Sequence, residues 1–359
     1  MSMPVKQITM PPILYLPCFD YQVHRQRPQQ LLTQLSLLGF NVIYCNVTQD
    51  PERPFVILND HLAVCQDVSA LNKEQPYIMW LTHGPYAEEL HKYNIRMVVS
   101  DLADVCEEEF APFAVWEQRK LDAADLVLCS SDIIYEGARP KHPEVLLLRN
   151  AADAEHFVQT TDKAAFPLLP YEQEARNLCR NTAPVIGFWG AVASWLDYDL
   201  IRYLAKERPQ YQFVFIGQIS CRGPELLGPL PNVHWLGNRD YEALPAFARQ
   251  LDAAIVPFQV RKVTEAANPV KLYEYLAAGL PIISTDLPEV AAFIEVGVRI
   301  GRSPAQFLRH MDEALVSDRT PEKIQLRQAV ARQESWTARA RLAADHMIRL
   351  WLKKAKPAD

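Results

Sequence analysis

Short apolar runs rich in β-branched and aromatic residues alternate along this chain with segments whose apolar positions recur at helical spacing, the pattern of βαβ units and a parallel sheet. The runs predict strands at 13–19, 41–47, 77–83, 96–102, 125–130 and 145–149, with helices at 29–38, 86–92, 113–124 and 132–138. Between 160 and 183 the period is lost, and Pro167, Pro170 and Pro184 punctuate a stretch that carries Glu172, Glu174 and Arg176. The alternation then restarts, with strands at 185–189, 212–217, 233–236, 253–258 and 281–285 and helices at 198–206, 242–250, 270–278 and 304–316. Two helical stretches, 322–333 and 337–354, close the chain, the last with Leu342, Ala343, Met347 and Leu350 on its apolar face. The expectation is an α/β chain of two doubly wound parallel-sheet domains, 1–165 and 184–335, with a linker at 166–183 and a final helix, 336–359, packing back on the first domain. The two sheets are expected to face a ligand cleft at the carboxyl ends of their strands.

Composition narrows the classes. A chain of 359 residues is longer than one core usually serves, and 49% apolar with 22% charged residues is an ordinary globular balance. A formal net charge of -6 and a pI of about 5.9 argue against broad nucleic-acid binding, which neutralises many phosphates with Lys and Arg. The seven cysteines, at 18, 45, 65, 106, 129, 179 and 221, are scattered without a C-x-x-C pair, so reduced thiols and no metal site are expected. No stretch approaches the ~20 apolar residues of a membrane span, which predicts a cytoplasmic protein. The tail 347–356 mixes Ile348, Leu350, Trp351 and Leu352 with Arg349, Lys353, Lys354 and Lys356. It reads either as peripheral contact with the inner face of an anionic membrane or as a packed terminal helix.

The segment 268–285, NPVKLYEYLAAGLPIIST, carries the most chemistry. Asn268 can cap a helix, Pro269 suits its first position, and the amides around Val270 and Lys271 point out of the helix start. With the Lys271 charge they form an anion site able to hold a nucleoside diphosphate without a metal. Glu274, one turn on, is placed to accept hydrogen bonds from ribose hydroxyls; the plain alternative is a solvated surface helix. The turn Gly187–Ala191 lets backbone approach a ligand at Gly190 and Ala191, or is a tight turn alone. Arg261 and Lys262, in the loop after the strand ending at Phe258, are a second phosphate-side pair or a solvated one.

The 268–285 string resembles the donor-binding helix of GT-B glycosyltransferases, including the large retaining group with a Glu, seven residues, Glu motif. Further similarities are QRPQQ at 26–30, LDAADLVLCSS at 121–131, LLRNAADAEHF at 147–157, IGFWGA at 186–191 and SWTARA at 335–340. The set is most similar to bacterial group 1 enzymes of teichuronic-acid and exopolysaccharide synthesis. The resemblance implies two Rossmann-like domains, metal-independent hexosyl transfer from a nucleoside-diphosphate sugar with no other cofactor, and a glycan or lipid-linked acceptor. It implies that Glu274 binds ribose and that Lys271 approaches the phosphates. The first motif glutamate falls on Ala266, with Glu265 one residue early. The usual P-N-G-V-D loop keeps Asn150, Asp153 and Phe157 but replaces Gly-Val with Ala-Ala, and 192–199 lacks the Arg and Lys of many relatives.

Acceptor-side candidates stand at strand ends of the first domain: Asp20, His24, Arg25, Arg27, His83 and Asp101. A reaction that inverts the anomeric carbon needs a base for the acceptor proton, for which Asp101 is the first choice and His24 the second. Relatives carry Y-D-C-M-D-D here, and 99–104 reads VSDLAD, keeping Asp101 and Asp104 three apart. A retaining reaction leaves Asp101 as a positioning residue; both acids could also simply start a loop. Arg27 holds an acceptor phosphate or hydroxyl, or braces a carboxylate, and His83 is a cleft residue or a satisfied structural histidine. Asp197-Tyr198-Asp199 spells D-x-D but reads as a helix cap. The rival functions are a nucleotide-sugar epimerase on the same architecture and a degenerate subunit without chemistry.

Overall fold

The computed structural model describes residues 10–23, 25–158, 172–178 and 183–355. It divides into two units, 1–149 with 337–359, and 150–336. The first unit therefore ends sixteen residues before the boundary expected at 165, because the loop from Asn150 is tied into the second unit.

The first unit holds an eight-stranded sheet of β1 (Ile13–Tyr15), β2 (Val42–Cys45), β3 (Phe55–Asn59), β4 (Leu62–Cys65), β5 (Pro76–Leu81), β6 (Asn94–Leu102), β7 (Leu126–Cys129) and β8 (Val145–Leu147), in the order β3-β4-β2-β1-β5-β6-β7-β8. All pairs are parallel except β3 with β4. That antiparallel edge was not expected: β3 leaves Phe55, Ile57 and Leu58 exposed and so lacks a buried-run signature, and its partner β4, four residues long, was missed with it. A tight turn joins the two strands, with the Asn59 side chain accepting from the His61 amide at 2.8 Å.

Helices flank the sheet at Arg27–Leu37, Ala114–Ala123 and Asp132–Ala138. The first starts on Gln26, whose amide donates to the Gln29 side chain at 3.3 Å, with proline in the first turn. The segment expected as one helix at 86–92 is instead two 3-10 turns, Gly84–Glu88 and Leu90–Lys92, closed by i to i+3 bonds such as Glu89 to Tyr86 at 3.1 Å. The terminal helix Trp336–Ala355 lies on this unit through Thr337 to Gln34 at 2.8 Å and Arg349 to Glu144 at 2.8 Å. Lys354 pairs with Asp125 at 2.6 Å and Lys353 with Glu144 at 3.8 Å, so Arg349, Lys353 and Lys354 of the tail meet carboxylates of the same unit; Lys356 lies outside the described residues. No described helix is long and apolar enough to cross a membrane.

The second unit holds β9 (Val185–Trp189), β10 (Gln212–Ile216), β11 (Val233–Trp235), β12 (Ala253–Val256), β13 (Ile282–Ser284) and β14 (Val298–Ile300), all parallel, in the order β11-β10-β9-β12-β13-β14. The edge strand β14 was missed because three residues, VRI, carry too short a pattern. The strand order reverses at β9, between β10 and β12, and the crevice beyond that switch point is where doubly wound sheets bind ligands. Most of the linker expected at 166–183 lies outside the described residues. Its described part, Glu172–Leu178, is a helix with Ala175 in the core of this unit and Glu174 paired with Arg239 at 2.5 Å. Six described cysteines are free thiols, three of them buried; Cys179 lies outside the described residues.

At the switch point two glycines carry backbone strain that other residues would not accept. Gly190 has φ +129° and Gly217 φ +147°, and a Cβ on Gly217 would stand 2.0 Å from the Gly190 carbonyl oxygen. Gly187 differs: a Cβ there would stand 2.1 Å from Leu251 Cδ1, so its glycine makes room for core packing. Gly217→Ala should destabilise the protein by about 2 kcal/mol or more, read as a lower urea midpoint, whereas Ala substitution of the open helical Gly137 should be neutral or stabilising.

Candidate functional site

Lys271 and Glu274 sit on the helix Val270–Ala277, whose N-cap is Pro269. Lys271 leaves the first turn and crosses Gly190: a Cβ there would lie 2.7 Å from the lysine Cε, so only glycine leaves the seat open. The ammonium rests 5.3 Å from the Phe188 ring centroid and 4.9 Å from that of Phe258, against the negative faces of both rings. Among the described residues it has no hydrogen-bond or ion-pair partner. Desolvation pulls its pKa down to about 8, with Glu274 pulling the other way.

Glu274 is buried and accepts a hydrogen bond from the Trp189 indole N–H on Oε2 at 2.6 Å. Burial pushes its pKa up to about 7, while Trp189 and Lys271 favour the charged form and Asp153 opposes it. Trp189 is fixed in turn: its amide donates to the Tyr275 hydroxyl at 3.1 Å, and Phe157 stacks on its indole at 5.7 Å. The hydrogen bond orients one carboxylate oxygen and leaves Oε1 without a partner among the described residues.

Asn268 does not cap the helix. Its side chain accepts from the Asn150 amide at 2.8 Å and donates to Glu289 at 2.7 Å and Tyr273 at 3.0 Å, while its carbonyl accepts from the Asn150 side chain at 2.6 Å. Asp153 caps the short helix Ala154–Phe157 through the His156 amide at 3.4 Å. Two of the three residues kept in the 147–157 loop thus hold the Val270–Ala277 helix from behind, Asn150 through Asn268 and Phe157 through Trp189. Ala191 is exposed beside Gly190, and Val270 is half-buried. Arg261 and the exposed Lys262 start the helix Lys262–Glu265, with the Arg261 amide on Thr264 Oγ1 at 3.1 Å. Ala266 is buried in the core and Glu265 half-buried one residue before it.

The first unit has a cavity of about 310 Å³ at the carboxyl ends of β1, β5 and β6, reached by Arg27, His83, Asp101 and Asp104. Its floor is a buried ionic network. Arg27 Nε donates to both Asp101 oxygens at 2.9 and 3.1 Å, Trp80 reaches the second at 3.4 Å, and Lys120 donates to the Thr82 and Asp101 carbonyls at 2.8 and 3.0 Å. Desolvation lowers the Lys120 pKa. Asp101, expected as the base, is fully buried with both oxygens taken, so it is placed as a brace and Arg27 as its partner. Also on the cavity are the exposed Asp104 and the half-buried His83, whose pKa desolvation and Lys120 lower. Asp20 is not on the cavity; it holds the Thr48 amide at 2.8 Å. His24 lies outside the described residues. Asp197 caps the helix Tyr198–Glu207 through the Leu200 amide at 2.8 Å, and the described residues hold no group of three or more potential metal ligands.

Trp189, Phe188 and Phe258 escaped the sequence reading, although aromatic residues beside a strand-end glycine are a usable signal. Lys120 had none: in RKLDAAD it reads as an ordinary helix surface.

Residues 183–318 match the family described as glycosyl transferases, group 1. A Bacillus subtilis protein named for teichuronic acid biosynthesis, the glycosyltransferase TuaH, is 28% identical over 231 residues, 61% of this chain and 56% of that protein. The match thus spans little more than half the length of that relative. Sucrose-phosphate synthase of Thermosynechococcus elongatus superposes with a TM-score of 0.72 at 14% identity, covering 95% of this chain and 100% of the other. The Anabaena protein HepE, solved with UDP and glucose, gives 0.66 at 14%, covering 94% and 99%. The fold is GT-B.

Two outcomes follow from the buried charges. Glu274 is protonated more readily folded than unfolded, so its contribution is full below about pH 4.5 and lost as pH rises through about 7. Glu274→Gln should therefore gain on wild type between pH 5 and 8, by ~3 kcal/mol at most, seen as a growing difference in melting temperature. Asp101→Leu should lose ~3–5 kcal/mol in urea unfolding by leaving Arg27 uncompensated, and adding Arg27→Met should restore part of that loss.

Proposed function

We propose that this chain, whose residues 183–318 carry a group 1 glycosyltransferase domain and whose fold is GT-B, moves a sugar from a nucleoside-diphosphate sugar to a carbohydrate or lipid-linked acceptor in cell-surface polysaccharide synthesis. The observation that carries this is the uncompensated Lys271 ammonium, seated against Gly190 at a strand end one turn before Glu274. A diphosphate brings the missing negative charge, and the ribose hydroxyls reach the free Glu274 oxygen. TuaH, named for teichuronic acid biosynthesis, supports the polysaccharide setting, and the UDP and glucose in HepE support a nucleotide-linked hexose.

Lys271, the helix dipole and the first-turn amides stabilise the leaving diphosphate as the glycosidic bond to it breaks, so we assign transfer without a divalent metal. If configuration inverts, Asp104 or His83 takes the acceptor proton; if it is retained, the leaving phosphate takes it and these groups position the acceptor. A nucleotide-binding subunit without chemistry is the second reading, favoured by the buried Ala266 where the motif has its first glutamate. Action in the cytoplasm, at the inner face of the membrane, follows from the proposed substrates.

The test is a thermal-shift panel of UDP, GDP, CDP and ADP with EDTA, followed by turnover of the matching sugar nucleotide. One nucleotide should raise the melting temperature in EDTA, and Lys271→Met and Glu274→Ala should each abolish that shift. Because the diphosphate binds protonated Lys271, affinity should fall up to tenfold per unit as pH rises above about 8, and Lys271→Met should lose that dependence. Binding without turnover on any acceptor selects the second reading, and no shift with any nucleotide overturns both.

A further inference from the structure

We infer that the cavity of the first unit receives the apolar segment of a neutral, hydroxyl-bearing acceptor, an inference that rests on the transfer reaction proposed above. Its walls are Phe110, Phe113 and Trp116 from the stretch before and within the Ala114–Ala123 helix, Ile133 from the next helix, and Phe19 after β1. Phe19, Phe113 and Ile133 are 38%, 42% and 46% exposed, three large apolar side chains converging on one concave site. The Trp116 wall is set close by the chain itself: a Cβ on Gly84 would stand 2.3 Å from Trp116 Cβ. At Gly137, also on the cavity, a Cβ would meet nothing within 4 Å.

The polar end of the ligand follows from the charges. The cations on the cavity are Arg27 and Lys120, the carboxylates Asp101, Asp104 and Glu117. Arg27 is committed to Asp101, Lys120 to two carbonyls, and Glu117 to Lys141 at 3.3 Å. Both cations are thus engaged with oxygens of the protein itself, and Asp104 is the carboxylate that stands exposed. The Thr82 hydroxyl on the cavity lacks a hydrogen-bond partner, and with Asp104 and His83 it suits the hydroxyls of a sugar. A tail against the aromatic wall and hydroxyls toward the floor is the arrangement this lining selects.

The experiment titrates the full-length protein by calorimetry with methyl, butyl, hexyl and octyl β-glucosides, below the micelle concentration of the longest. Affinity should rise about fourfold per added methylene until the cavity is filled. Ile133→Asp, which places a charge in the wall, and Gly137→Leu, which fills the open space at a helical position that favours leucine over glycine, should each weaken octyl glucoside about tenfold or more and leave methyl glucoside unchanged. An affinity independent of chain length, or a chain-length dependence that survives both variants, overturns the inference. The nucleotide shift measured on the same proteins separates the two readings. If it is absent while the chain-length dependence stands, transfer fails and the amphiphile site does not; the reverse keeps transfer and removes the apolar segment.

Discussion

The second unit is organised around one unneutralised charge. An ammonium half-buried against two phenylalanine rings, without a carboxylate at hydrogen-bond distance, is costly to desolvate, and the depressed pKa of Lys271 reflects that cost. The fold accepts it because the helix start, the strand-end glycine and the ring pair are each fixed for other reasons. Gly190 has a backbone angle that excludes side chains and a position that Lys271 must cross, so one residue satisfies turn and site together.

Glu274 is the counterpart, and its environment is a compromise. Burial favours the neutral carboxyl, the Trp189 indole and Lys271 favour the carboxylate, and the result lies near neutrality. Trp189 is therefore a positioning residue: it takes one oxygen of Glu274 and aims the other. Its support by Tyr275 and Phe157, together with the tie between Asn150 and Asn268, gives Asn150 and Phe157 of the 147–157 loop their roles, while Asp153 caps the short helix Ala154–Phe157. The Gly-Val to Ala-Ala change falls on Ala151 and Ala152, both buried, at positions that carry none of those side-chain contacts.

In the first unit the buried charges behave differently. Arg27 pairs with Asp101, and Lys120 donates to two backbone carbonyls, so they build a floor. The exposed Asp104 and the half-buried His83 stand beside this floor. The same sheet end thus combines a rigid ionic base with an apolar mouth.

The sequence by itself determined the two parallel sheets, since buried strands of valine, isoleucine, leucine and phenylalanine separated by helical spacing admit few other arrangements. It also determined the helix that carries Lys271 and Glu274, because Pro269 at its start and a strand following shortly after are local signals. Strands β3, β4 and β14 were not legible, β3 being exposed and the other two too short for a period to register. Only the tertiary structure decided that Asp101 is a brace, that Asn268 ties a loop instead of capping, and that Trp189 aims Glu274. Each of those roles depends on which partner stands at hydrogen-bond distance across tens of residues of chain, and burial, not residue type, decides whether a carboxylate there is a base or half of an ion pair.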